Sequence, residues 1–163
     1  VLIKPVKNGI YIFIGLICFL LIIGKKSVHS TISMKASPNQ VWEVITNTSQ
    51  YSEWNSVVNL LEGDIKEGSL VKYRFTQEAG KFYDIPSKVK KITPSSLLNQ
   101  GGGTLGIITF DHKYILEEKK GETVLTIHED YHGVFVPFWN PEPVQKAYDR
   151  LNKDIKNRVE SLY

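Results

Sequence analysis

Two ionisable residues, His112 and Glu129, stand out by where they fall in an alternating pattern. In residues 107–117 the alternate positions Ile108, Phe110, Tyr114 and Leu116 are apolar, and His112 is the one polar member of that set. In residues 122–132 the corresponding set is Leu125, Ile127 and Tyr131, with Glu129 the exception. Alternation of this kind marks a strand with one buried face. If Lys120 and Gly121 form a two-residue hairpin turn, positions on the two strands pair with a constant sum. His112 then lies opposite Glu129, Phe110 opposite Tyr131, Tyr114 opposite Ile127 and Leu116 opposite Leu125. A slip of one residue would break all four pairs together. An imidazole and a carboxylate turned inward cost free energy unless they hydrogen-bond each other. Such a pair can give an apolar cavity a polar end, orienting a ligand hydroxyl or carbonyl or moving a proton. It can equally satisfy itself at the rim of a sheet and do nothing further, and on sequence both readings stay open.

Other reactive residue types offer less. His128, Asp130 and His132 share the outward parity of the second strand, where a solvated edge is the expectation and a metal face the alternative. No metal and no cofactor are expected. The glycine-rich run 101–106 (GGGTLG) lacks the glycine spacing and following helix of a phosphate loop and reads as a connector or bulge. No serine occupies a nucleophile elbow, and Cys18, the one cysteine, lies inside an apolar run. Trp42, Trp54 and Trp139 read as packing residues.

The elements that must position the pair are legible in outline. Residues 28–34 alternate as a first strand, and Ser37 followed by Pro38 marks the start of a short helix with Val41, Trp42, Val44 and Ile45 inward. A second helical turn holds Tyr51 and Trp54. Strands are expected over 57–62, 70–76, 83–92, 97–101, 107–117 and 122–132, with glycine and proline between them. From Asn140 and Pro141 a long helix begins whose stripe is Val144, Tyr148, Leu151, Ile155, Val159 and Leu162. Its opposite face, with Lys146, Arg150, Lys153, Asp154 and Asn157, is polar. Strand, two short helices, a meander of strands and one long helix indicate an α+β domain with an antiparallel sheet.

Residues 9–24 carry no charge and are flanked by Lys4, Lys7, Lys25 and Lys26. The expectation is a single-pass membrane anchor over residues 1–26, with a cleaved signal peptide and a buried helix as alternatives; the balanced flanks set no orientation. Residues 27–163 then form one soluble domain. A net charge of +3 in 163 residues, with no dense basic run, argues against a nucleic-acid partner. Oligomeric state is left open.

The segments ASPNQVWEVITNTSQYSEWNSVV (36–58), ITPSSLL (92–98) and TVLTIHEDYHGVFVPFWNPEPV (123–144), together with the turn at Glu67, Gly68 and Ser69, resemble the START-like superfamily known as SRPBCC. That group includes polyketide cyclase and dehydrase-like proteins, lipid-transfer domains and plant pollen allergens. The resemblance implies a helix-grip fold, in which a curved antiparallel sheet wraps the C-terminal helix around a hydrophobic cavity, and it implies no shared catalytic motif. The expected function is binding of a small hydrophobic or amphipathic ligand, lipid or polyketide-like. The alternatives are a cyclase or dehydrase-type enzyme using His112 and Glu129 as acid and base, and a protein-interaction module without ligand. Expected ligand-binding residues are Tyr73, Phe75, Phe110, His112, Tyr114, Ile127, Glu129, Tyr131, Tyr148 and Leu151.

Overall fold

The computed structural model describes residues 3–163, with side chains from Gly9 onward. Helix α1 (Ile3–Ile23) leads into strand β1 (Lys25–Met34), followed by helices α2 (Pro38–Thr46) and α3 (Tyr51–Trp54). Strands β2 (Val58–Glu62), β3 (Leu70–Glu78), β4 (Lys81–Thr93), β5 (Leu97–Thr104), β6 (Ile108–Lys119) and β7 (Glu122–His132) precede the long helix α4 (Glu142–Leu162). The strands form one antiparallel sheet in the order β1-β7-β6-β5-β4-β3-β2.

Local chemistry explains the boundaries. Ser37 and Gln40 form a capping box, each side chain accepting the other's backbone N–H, with Pro38 opening α2. Lys120 and Gly121 both have positive φ, 55° and 80°, the conformation of a two-residue hairpin turn matched to strand twist. Pro141, not Asn140, is the N-cap residue of α4; Asn140, one position earlier, accepts the Glu142 N–H at its Oδ1 at 3.1 Å.

Helix α4 reaches both halves of the sheet. Gln145 donates to the His29 carbonyl and Asn152 to the Ser30 hydroxyl on β1, while Arg150 donates to the Thr76 and Gln77 carbonyls on β3. In a flat sheet those two strands would stand about 24 Å apart, five spacings of ~4.8 Å, against a helix roughly 10 Å across. The sheet must therefore curl around the helix. Register shifts near Leu60, Thr76 and Val89 help it bend. The helix buries Val144, Ala147, Tyr148, Leu151, Asn152, Ile155 and Val159. Two expectations change here. Arg150 is not idle on a wet face but ties α4 to β3, and Leu162 is half-exposed on a surface pocket lined also by Glu43, Asn47 and Arg158.

The glycine run is also not simply a connector. Gly101, Gly102 and Gly103 belong to β5 and pair with Asp111, Phe110 and Thr109. A Cβ on Gly102 would lie 2.5 Å from the Pro86 carbonyl oxygen and 3.0 Å from the Phe110 ring, so the strand carries glycine where that ring crosses it.

The expected single-pass membrane localisation does not hold. Among the described residues, no helix is long and apolar enough to cross a membrane. The uncharged part of α1 spans ~22 Å at about 1.5 Å per residue, against a hydrocarbon core of ~30 Å. Of the lysines expected to mark the membrane boundary, Lys25 and Lys26 are residues of β1 instead. Lys26 donates to the Pro137 carbonyl at 3.2 Å and to that of Trp139, and Gly24 accepts from the Gly133 N–H at 3.0 Å.

Candidate functional site

The hairpin register places His112 opposite Glu129, Phe110 opposite Tyr131, Tyr114 opposite Ile127 and Leu116 opposite Leu125. His112 Nδ1 lies 3.1 Å from Glu129 Oε2 and 3.2 Å from the Tyr148 hydroxyl oxygen on α4. The His112 and Glu129 side chains are only 13% and 6% exposed. A carboxylate can only accept, so the proton lies on Nδ1 and is shared between Glu129 and Tyr148. In the neutral ring this leaves the lone pair on Nε2. The ring is further held edge-on against Tyr114 and Tyr148, with centroids at 4.7 and 5.3 Å. Outward on β7, an interior strand, His128 Nε2 meets Asp130 Oδ1 at 3.0 Å, with Lys113 Nζ 3.6 Å from the same carboxylate.

A pocket opens between sheet and helix, its roughly 530 Å³ of empty space including the open solvent beyond its mouth. Its apolar wall is Val58, Phe75, Ile85 and Phe110, and tyrosines 51, 73, 114 and 148 surround it. Ser87, Gln100, His112 and Glu129 supply the remaining polar groups. Gln100 pairs with His112, which pairs in turn with Glu129, so three polar residues form one row across β5, β6 and β7.

Of the residues expected to bind a ligand, Tyr73, Phe75, Phe110, His112, Tyr114, Glu129 and Tyr148 line this cavity. Ile127, Tyr131 and Leu151 do not. Ile127 and Leu151 are fully buried, and Tyr131 is turned against Trp139 at 4.3 Å between centroids. Alternation had not pointed to Tyr51, Val58, Ile85, Ser87 or Gln100. Gln100 was within reach of the rule that found the pair. A constant sum taken around Gly106 sets residue 100 opposite residue 112.

The phenols of Tyr51, Tyr73, Tyr114 and Tyr131 are held neutral. Burial pushes Tyr73 up to about 12, offset in part by the neighbouring Gln100 amide. Burial also raises Tyr51 and Tyr114 well above the ordinary phenol value, and Tyr131 likewise, with the Glu129 charge adding to the rise in Tyr114 and Tyr131. These groups are thus hydrogen-bond donors and not bases. The Tyr73 hydroxyl is buried with no hydrogen-bond partner among the described residues, the Gln100 amide standing close but outside bonding geometry.

A curled seven-stranded antiparallel sheet gripping a C-terminal helix over an aromatic cavity defines the helix-grip class of START-like domains. The chain belongs to the polyketide cyclase / dehydrase and lipid transport family, whose sequence model matches residues 25–160. Among solved structures it is similar to protein CV1439 from Chromobacterium violaceum, with 16% identity, TM-score 0.68, and 82% of this chain and 96% of that one covered. It is similar also to Ms6760 from Mycobacterium smegmatis, at 14% identity and TM-score 0.68, covering 84% and 92%. DynU16, a protein in the dynemicin biosynthetic locus, shares 19% identity at TM-score 0.59, with 82% of this chain and 47% of that one covered. These likenesses establish the fold. No curated protein matches the sequence.

Proposed function

We propose that the chain binds one small, largely apolar molecule, lipid or polyketide-like, in the cavity between sheet and α4. The observation that carries this reading is the cavity itself. Aromatic and aliphatic walls remove an apolar body from water at about 25 cal/mol per Å², and the polar row on one wall fixes its orientation. Membership of a family described by cyclisation, dehydration and lipid transport supports the same ligand class. Native mass spectrometry of the purified chain tests it. An apolar small molecule, bound one per chain and lost on unfolding, is the expected result. Failure of the protein to retain or take up any apolar compound would contradict it.

A second reading, acid-base catalysis of a cyclase or dehydrase type, is favoured by the contact between His112 and Glu129 at the cavity wall. In that case His112→Gln would keep ligand binding and lower turnover by about 10²–10⁴-fold.

A further inference from the structure

The polar groups of the cavity fall into two sets with different consequences. His112, Glu129 and Tyr148 satisfy one another, with contacts of 3.1 and 3.2 Å. Tyr73 does not belong to that closed set, and among the described residues its buried hydroxyl has no partner in bonding geometry, the Gln100 amide lying near it. Ser87 and Gln100 lie on the same wall and are almost fully buried, 5% and 4% exposed. A buried donor without a partner costs stability, so this set is open to an oxygen brought by a ligand. Charge narrows the choice. No lysine or arginine lines the cavity among the described residues, and the acidic group that does is Glu129. An anionic head entering here would be desolvated beside the Glu129 carboxylate, with no lysine or arginine to meet it.

Building on the binding reading above, we infer that the cavity selects uncharged ligands carrying a ketone or hydroxyl oxygen, docked on Tyr73 and Gln100, and rejects carboxylates of the same shape. Ketones accept from the phenol and the amide N–H. Hydroxyls can accept from Tyr73 and donate to the Gln100 oxygen.

Equilibrium dialysis of the full chain against naphthalene, naphthol and naphthoate at neutral pH tests the selection, because the three share one ring system. The expected order is naphthol tightest, naphthalene next and naphthoate weaker than naphthol by more than about ten-fold. Gln100→Leu should weaken naphthol about three- to ten-fold and leave naphthalene unchanged. Tyr73→Phe, which removes only the orphan oxygen, should weaken naphthol while raising the melting temperature, a combination that a merely structural tyrosine would not give. Naphthoate binding as tightly as naphthol would overturn the inference. So would naphthol affinity indifferent to both replacements, as adsorption on the exposed apolar side of α1 would be. Absence of naphthalene binding would instead overturn the binding reading on which the inference rests.

Discussion

His112 and Glu129, seventeen residues apart in the chain, face each other on adjacent strands with Nδ1 and Oε2 3.1 Å apart and both side chains largely buried. The contact makes the two side chains energetically one unit. Glu129→Leu leaves the Nδ1 proton with only the Tyr148 oxygen, and His112→Leu leaves a buried carboxylate unpaired. Each single change should destabilise the fold by about 1–3 kcal/mol or more, and the double change by clearly less than the sum. Urea unfolding of the four proteins measures the coupling; additive losses would mean that the side chains do not interact.

Leu151 is fully buried where α4 lies directly on the sheet. Leu151→Asp places an unpaired carboxylate there and should abolish cooperative unfolding in a domain whose total stability is on the order of 5–15 kcal/mol. A soluble variant with unchanged melting temperature would contradict the placement of the helix.

Gly102 leaves no room for a side chain between Pro86 and Phe110. Gly102→Ala should therefore cost roughly 1–3 kcal/mol and displace the Phe110 ring. Thermal melting together with the ring's NMR shifts reads both effects, and an unperturbed variant would mean that β5 does not pass beneath that ring.

Asp111 sets the acid limit. Burial pushes its carboxyl up, but hydrogen bonds from Lys113, Lys90 and Asn99 overcome this and hold it well below the usual carboxylate range. A depressed folded value stabilises the fold above the unfolded value near ~3.9 and loses that contribution as pH falls below it. Asp111→Asn should thus be less stable than the parent at neutral pH, with the gap closing below about pH 4 in urea midpoints. A gap that widens in acid would reverse the sign.

At the alkaline end the buried phenols of Tyr51, Tyr73, Tyr114 and Tyr131 are raised above the unfolded value of about 10. The unfolded chain therefore loses protons first, and stability falls as pH rises past that value. In an ultraviolet titration these four should ionise only with unfolding. Tyrosines that all titrate together before the fold is lost would count against the burial.

The β6–β7 register was readable because a two-residue turn and four like pairs over-determine it, and the long helix because its apolar stripe recurs at helical spacing. What lay beyond reach depends on curvature. Alternation tells which face Ile127 occupies, but not that it is fully closed over while Tyr114, its neighbour across the strands, lines the pocket. Ser87 joins the wall through β3 and β4, whose pairing is shifted by bulges, and those carry no local sequence mark. Asn152 interrupts the apolar stripe yet is buried, because Ser30 across the interface accepts from its amide. For residues 9–24, apolarity by itself did not separate a membrane span from a helix too short to cross.

The central claim, that an apolar molecule occupies the cavity, is tested most directly by recording backbone and ring NMR shifts of the full chain as naphthalene is added. Shifts that saturate and concentrate at Phe75, Gln100, Phe110, His112 and Tyr148 are predicted, with stability rising by about 1.4 kcal/mol at ten times the dissociation constant. Shifts confined to the exposed face of α1, or none that saturate, would contradict it.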